Sequence, residues 1–247
     1  MNAVGHEAWT RLRRRAIALD GDRLRSLSPI LVIAPHQDDE TLGCGGLLAV
    51  ASALGLRPRV AFLTDGAASH KGSATYTPRR LARTRRREAL RALDVLGVPV
   101  RDVLFLGWPD ARPHPGGAPE YEGAVEGLCA WVRRRPPASV WSPWRGESHC
   151  DHEAAAAVAR DVASRLPTGP VLMDYLVWGW EEEAHLEVGA PVWALDCPQT
   201  IDQRVRALAC HRTQTTDLIV DASEAFRIPE RLAALTRRPV ELYLERA

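Results

Sequence analysis

Ile30-Leu31-Val32-Ile33-Ala34-Pro35-His36-Gln37-Asp38-Asp39-Glu40-Thr41-Leu42-Gly43-Cys44-Gly45-Gly46 is the stretch on which the fold turns. Its first five residues are apolar and rich in β-branched side chains, and Pro35 closes them, so they read as a buried strand. A helical pattern follows over residues 41–54, with Gly55 as its terminator. An imidazole and two adjacent carboxylates therefore stand where a buried strand ends and a helix begins. Open α/β sheets hold their ligands at that position. Adjacent carboxylates repel, and a folded chain crowds them around a cation or a shared proton. His36 and Asp39 can hold a metal while Asp38 stays free as a base, which points to an enzyme.

The pattern repeats outward from this stretch. Apolar runs at residues 59–64, 102–106, 139–141 and 171–178 read as further strands, with another at 192–195 near the edge. Helical patterns at residues 78–96, 121–134, 151–165 and 201–211 alternate with them. The segment after Asp221 reads as a short helix and a closing segment, and residues 109–119 as an ordered loop at the rim of the sheet. This order predicts a Rossmann-like α/β fold, a mostly parallel sheet with helices on both faces, in one domain spanning residues 1–247.

Composition narrows the function. With 32 basic and 31 acidic side chains the net charge is +1, so no global field for nucleic acid follows. No apolar run approaches the ~20 residues of a membrane span, and no apolar segment follows the basic N-terminus as a secretory signal requires. Five scattered cysteines without a C-x-x-C pair read as reduced thiols of a cytoplasmic protein. Oligomeric state leaves no mark in the sequence.

The second informative stretch is Glu147-Ser148-His149-Cys150-Asp151-His152-Glu153, at the junction after the fourth strand. In a parallel sheet this junction lies on the same edge as His36. His149 and His152, three apart at a helix start, can both point into that pocket. His36, Asp39 and His152 would then give two imidazoles and a carboxylate with a position open for water, a set suited to catalytic zinc; Fe2+ or another divalent ion fits the same ligands.

Both stretches resemble the signatures of the PIG-L/LmbE-like de-N-acetylase superfamily, typified by N-acetylglucosaminyl-phosphatidylinositol de-N-acetylase. Pro35 to Glu40 match Pro-His-x-Asp-Asp-Glu, and His149 to His152 match His-x-x-His with Asp before the last histidine. Weaker matches are Thr64-Asp65-Gly66, Arg85-x-x-Glu88, Leu106-Gly107-Trp108-Pro109-Asp110 and His211-Arg212-Thr213-Gln214, so the resemblance runs from about Ile30 to Gln214. Cys150 and Thr213 depart from the commoner proline and serine; neither change removes a ligand. The resemblance implies that His36, Asp39 and His152 bind zinc, that Asp38 is the general base, and that His149, if cationic, stabilises the oxyanion. It also implies that Asp151 orients His149; capping its own helix is the alternative.

Substrate contacts are less defined. Arg85 either reaches the substrate or pairs with Glu88 to position its helix. Asp65 and Asp110 either line the pocket or brace their own turns. Trp108 and Trp144 are candidate pocket walls, because indole faces stack on sugar rings. Arg79, Arg83, Arg87 and Arg91 form a stripe that is either an anion site or a solvated helix face.

Other classes fit less well. The glycines after the first strand lack the third member of a dinucleotide fingerprint, Leu48 standing nearby instead, and two carboxylates there would repel a pyrophosphate. Neither G-x-S-x-G nor a P-loop is present. The reading is a zinc-dependent deacetylase acting on the N-acetyl or other N-acyl group of an amino sugar or glycoconjugate. The alternatives are a metal-dependent hydrolase of another amide or ester, or a non-catalytic metal- or sugar-binding module.

Overall fold

The computed structural model describes residues 3–180 and 191–246. Its strands are β1 (Ile17–Ala18), β2 (Ile30–Ala34), β3 (Arg59–Thr64), β4 (His70–Lys71), β5 (Val103–Trp108), β6 (Ser139–Pro143), β7 (Val171–Tyr175), β8 (Val192–Asp196), β9 (Glu224–Ala225) and β10 (Val240–Glu245). Its helices are α1 (Ala3–Arg15), α2 (Gly21–Ser26), α3 (Asp39–Ala53), α4 (Pro78–Val95), α5 (Pro119–Val132), α6 (Cys150–Arg165), α7 (Ile201–Ala209), α8 (Arg212–Thr215) and α9 (Glu230–Ala233). Eight strands make one sheet in the order β1-β8-β10-β7-β6-β2-β3-β5, and β4 pairs with β9 in a separate antiparallel ribbon. Every pairing in the large sheet is parallel except the two made by β10, which runs against both β7 and β8.

β2 is apolar throughout because both of its faces are covered. Leu31 and Ile33 pack with Val125 and Leu128 of α5 and Val158 and Val162 of α6. Val32 and Ala34 join the other core, with Leu47 and Leu48 of α3 and Ala89 and Leu93 of α4. The alternation is the two-residue period of a strand, read from both sides.

The same topology positions the site. From β2 the chain builds outward through α3, β3, α4 and β5, then returns through α5 to place β6 on the other side of β2. β2 and β6 are adjacent and parallel, with Val32 opposite Trp141. The sheet therefore reverses its direction of growth between them, and their carboxyl ends open a crevice there. Both histidine-bearing stretches begin at those two strand ends.

Some elements differ from the sequence-based expectation. The closing segment is a full inner strand, β10. Its buried Glu241 accepts the backbone N–H groups of Gly46 and Leu47 at 2.7 and 2.9 Å, so a contact with α3 fixes it where local pattern does not. The strand expected over residues 171–178 stops at Tyr175, and Trp178 opens a short 3-10 turn. On α4, Arg79, Arg83, Arg87 and Arg91 are exposed, whereas Arg85 and Glu88 are buried.

Candidate active site

Asp38 caps α3 with extended backbone, and Asp39 and Glu40 fill the helix's first turn, where the helix dipole favours negative charge. The His36 N–H donates to Asp39 Oδ2 at 3.0 Å, and His36 Nδ1 lies 3.1 Å from the same oxygen. Across the crevice, His149 caps α6: its Nδ1 accepts the Asp151 N–H at 3.2 Å. That bond places the proton of a neutral His149 ring on Nε2. Burial, with help from His36 and His152, pushes the His149 pKa down, so the neutral ring is favoured. The oxyanion role suggested for a cationic His149 is thus better served by a neutral Nε2–H donor.

The three imidazoles cluster, with ring centroids 4.9 Å apart for His36–His149, 5.4 Å for His36–His152 and 5.3 Å for His149–His152. His152 Nδ1 lies 2.6 Å from Glu147 Oε2, and both side chains are fully buried. In the neutral ring this carboxylate holds the Nδ1 proton and leaves the lone pair on Nε2, the arrangement found behind metal-bound imidazoles. His152 Nε2 is buried without a hydrogen-bond partner; Asp39 Oδ2 lies 3.4 Å away but outside hydrogen-bond geometry, so the contact is electrostatic. Burial lowers the His152 pKa, yet Asp39 and Glu147 outweigh it and raise the ring to about 9. His36 is raised in the same way, burial being overcome by Asp110, Asp151 and Asp39. The site is one that draws positive charge.

These observations test whether the residues fit a metal. The ligand atoms of His36, Asp39 and His152 all lie within 4.8 Å of one another. Two ligands of a tetrahedral zinc stand about 3.4 Å apart for bonds of about 2.1 Å, which the orphaned His152 Nε2 and Asp39 Oδ2 match. The donor set fits. A second grouping, His36, His149 and Asp151, is equally compact.

Asp151 takes neither role expected for it. Its carboxylate lies 2.9 Å from His36 Nε2 and accepts the Ala111 N–H at 2.8 Å, while His149 itself caps the helix. Asp110 flanks the same ring, Oδ1 standing 3.4 Å from His36 Nε2, and accepts the Ala68 N–H at 2.8 Å. Arg85 reaches the site from α4. It donates to the Gly66 carbonyl at 3.0 Å and to Asp38 Oδ2 at 3.3 Å. Burial raises the Asp38 pKa, and Arg85 is the main force opposing it. Asp65 braces a turn instead of lining the pocket, accepting the N–H groups of Ala67 and Asp110 at 3.0 and 3.3 Å.

A cavity of about 390 Å³ opens on the cluster, lined by His36, Asp38, Asp39, Arg85, Asp110 and His149, and also by Leu42, Val177, Trp178, Phe226, Ile228 and Leu232. Trp108 and Trp144, the expected walls, are not among its lining residues. Trp108 packs on Tyr121 in the α5–α6 core, and Trp144 lies over Gly146 and Gly179. Glu147 and the apolar lining were not singled out from the sequence. Glu147 carried a signal, five residues before a candidate ligand, and Trp178 shared the strand-end position of the two expected tryptophans; the rest of the apolar lining carried none.

The late segment that resembles a family motif sits behind the site. Thr213 donates its N–H and hydroxyl to Glu88 at 3.1 and 2.6 Å, and His211 Nε2 lies 3.4 Å from Glu40 Oε1. It therefore ties α4 to α3 beneath the first motif.

A mostly parallel sheet with a His/Asp cluster at its point of reversal makes this an α/β protein with a candidate metal site. The PIG-L family model, GlcNAc-PI de-N-acetylase, matches residues 31–163, more than half of the chain, and the protein belongs to that family. It is accordingly a hydrolase of linear amides, an N-deacetylase. The 2'-N-acetylparomamine deacetylase of Streptomyces fradiae is 29% identical over 217 residues, covering 76% of this chain and 74% of that protein. Among solved structures, the N,N'-diacetylchitobiose deacetylase of Pyrococcus horikoshii superposes with a TM-score of 0.61 at 22% identity, over 86% of this chain and 80% of its own. GalB, the 4-carboxy-2-hydroxymuconate hydratase of Pseudomonas putida KT2440, superposes with a TM-score of 0.62 at 18% identity, over 88% of this chain and 94% of its own. The fold alone therefore does not select the reaction; the site must.

Proposed function

We propose that the protein is a divalent-metal-dependent deacetylase that removes the N-acetyl or other N-acyl group of a small amino sugar or glycoconjugate. His36, Asp39 and His152 would hold the ion, zinc or another divalent metal such as Fe2+. When bound, the ion supplies Lewis-acid polarisation of the amide carbonyl and lowers the pKa of a water. Asp38 takes the proton of the attacking water and delivers it to the departing amine nitrogen. His149 donates Nε2–H to the developing oxyanion. Arg85 keeps Asp38 ionised and aimed. The observation that carries this reading is the buried, unpartnered His152 Nε2 3.4 Å from Asp39 Oδ2, with Asp38 beside them and paired to Arg85. The amino-sugar substrate is supported by the family and by the relatives' names, and the cavity is of the size that small ligands occupy.

The test is Asp38→Asn beside His36→Ala. Asp38→Asn should keep near-stoichiometric metal and lose about 10²–10⁴-fold in acetate release from N-acetyl amino sugars. His36→Ala should lose the metal itself, and a chelator should abolish wild-type turnover. Full activity of Asp38→Asn, or chelator-insensitive release, would sink the mechanism. Among the described residues no helix is long and apolar enough to cross a membrane.

A further inference from the structure

We propose that the amino-sugar substrate carries an apolar group, and that Trp178, Phe226 and Ile228 hold it. This rests on the deacetylase reading above and adds the substrate's chemistry to it. The cavity has two kinds of lining. Its polar residues, His36, Asp38, Asp39, Ser69, Lys71, Arg85, Asp110 and His149, all fall within the 31–163 stretch that the family model matches. Most of its apolar residues, from Val177 to Leu232, lie beyond that stretch. The polar lining thus comes from the stretch that the family model matches, and most of the apolar lining from segments after it.

That lining leaves large apolar surface open. Trp178 and Ile228 are half-buried, and Phe226 is 37% exposed. Ile17, Leu54, Val100, Val220 and Phe226 are the exposed large apolar side chains of the described surface, and of these only Phe226 lines the cavity. The indole of Trp178 and the ring of Phe226 meet at 6.0 Å and 59°. Val177 and Leu232 pack beneath, almost fully buried. The wall is also held in place by backbone. The Phe226 N–H donates to the Ser69 carbonyl at 2.8 Å, the Ile228 N–H to the Gln214 carbonyl at 2.9 Å, and the Val177 N–H to Glu147 Oε1 at 2.7 Å. Glu147 is the residue that fixes His152, so one carboxylate sets both the metal cluster and the edge of the wall.

An unsubstituted sugar uses only part of such a surface. Its ring can stack one face on the Trp178 indole, but its hydroxyls need donors and acceptors that Val177, Phe226, Ile228 and Leu232 do not offer; Ser69, Lys71 and the indole N–H are the further polar groups of the lining. An alkyl or aryl group covers it with full benefit. The group can be the aglycone or the acyl chain itself, since both are apolar extensions of the scissile amide's sugar.

The test uses metal-loaded protein and two substrate pairs, kept below any micelle-forming concentration. One pair is methyl and octyl N-acetylglucosaminide; the other is N-acetyl- and N-octanoylglucosamine. In one pair the longer member should be preferred about tenfold or more in kcat/KM, mainly through KM. Preference for the octyl glycoside assigns the wall to the aglycone, and preference for the octanoyl amide assigns it to the acyl chain. Phe226→Ser should pull that ratio toward one, and Phe226→Leu should keep most of it. Ratios near one in both pairs, or a preference undiminished in Phe226→Ser, would overturn the proposal. Calorimetric affinities for the same four sugars separate the two claims. If none is cleaved, the deacetylase reading fails; equal affinities of short and long members overturn the wall independently.

Discussion

Glu147 Oε2 lies 2.6 Å from Nδ1 of His152, and the other oxygen of the same carboxylate accepts the N–H groups of Val177 and Gly179 at 2.7 and 2.9 Å. A carboxylate can only accept, so the neutral His152 ring that a metal would bind carries its proton on Nδ1 and presents the Nε2 lone pair to the cluster. In Glu147→Gln the amide can donate to Nδ1, which favours the other tautomer and occupies Nε2 with a proton. Metal affinity should fall about 10–100-fold while the fold is kept. Glu147→Ala should add a loss of stability of about 2–4 kcal/mol, because two buried N–H groups lose their acceptor. Competition with a chromophoric chelator and urea unfolding of the metal-free proteins measure the two effects. Wild-type metal affinity in Glu147→Gln would show that the tautomer is not set by this bond.

Arg85 decides how readily Asp38 holds a negative charge. Burial raises the Asp38 pKa and Arg85 opposes that rise. Removing the guanidinium therefore moves the Asp38 pKa further up. A base must be ionised to act, so the acidic limb of the kcat profile should shift to higher pH in Arg85→Gln, with a larger loss at pH 6 than at pH 9. Arg85→Lys should lie between Arg85→Gln and wild type. A pH-independent loss, or a change in KM alone, would assign Arg85 to substrate binding instead.

The sequence made the strands of the site legible because β2 and β3 are continuous apolar runs closed by Pro35 and by Asp65-Gly66. The meeting of the two histidine stretches followed from topology, since adjacent parallel strands bring their carboxyl ends together. What did not follow was the direction of individual side chains. Asp151 bonds His36 across the crevice, a contact set by the spacing of β2 and β6 that no local motif encodes. Tryptophans at strand ends looked like walls, yet Trp108 turned into the α5–α6 core. The wall itself is built from isolated residues in irregular segments, Trp178 after β7 and Phe226 after β9, where hydrophobic periodicity has nothing to register.

The glycines of the first stretch are packing glycines. A Cβ on Gly43 would lie 2.3 Å from Cδ2 of Tyr175, and one on Gly46 would lie 2.7 Å from Cys197 Sγ and from the Glu241 carboxylate. Tyr175 is fully buried and donates its hydroxyl to the Ile33 carbonyl at 3.1 Å, so its ring has little freedom to move. Helix propensity alone would make Gly43→Ala stabilising by about 1 kcal/mol. The overlap should reverse the sign and leave a net loss of about 1–3 kcal/mol. Pairing Gly43→Ala with Tyr175→Leu should recover part of the loss relative to Tyr175→Leu alone. Urea midpoints of the four proteins give the coupling, and a stabilised Gly43→Ala would refute the close approach.

Asp221 fastens the segment before α4 to the segment before β9. Its carboxylate accepts the Ser73 hydroxyl at 2.6 Å and the N–H and hydroxyl of Thr75, both at 2.9 Å. Those bonds, the Ser73 hydroxyl first among them, hold its pKa down at about 2. An unfolded Asp titrates near ~3.9, so the folded state binds this proton less readily than the unfolded one. The stabilisation is fully present above about pH 4 and is lost as the pH falls toward 2. The gap in urea midpoint between wild type and Asp221→Asn should therefore be widest near pH 5 and close steadily between about pH 4 and pH 2. A gap that stays constant over that range would mean that the protonated acid keeps the same three bonds and that the charge contributes nothing.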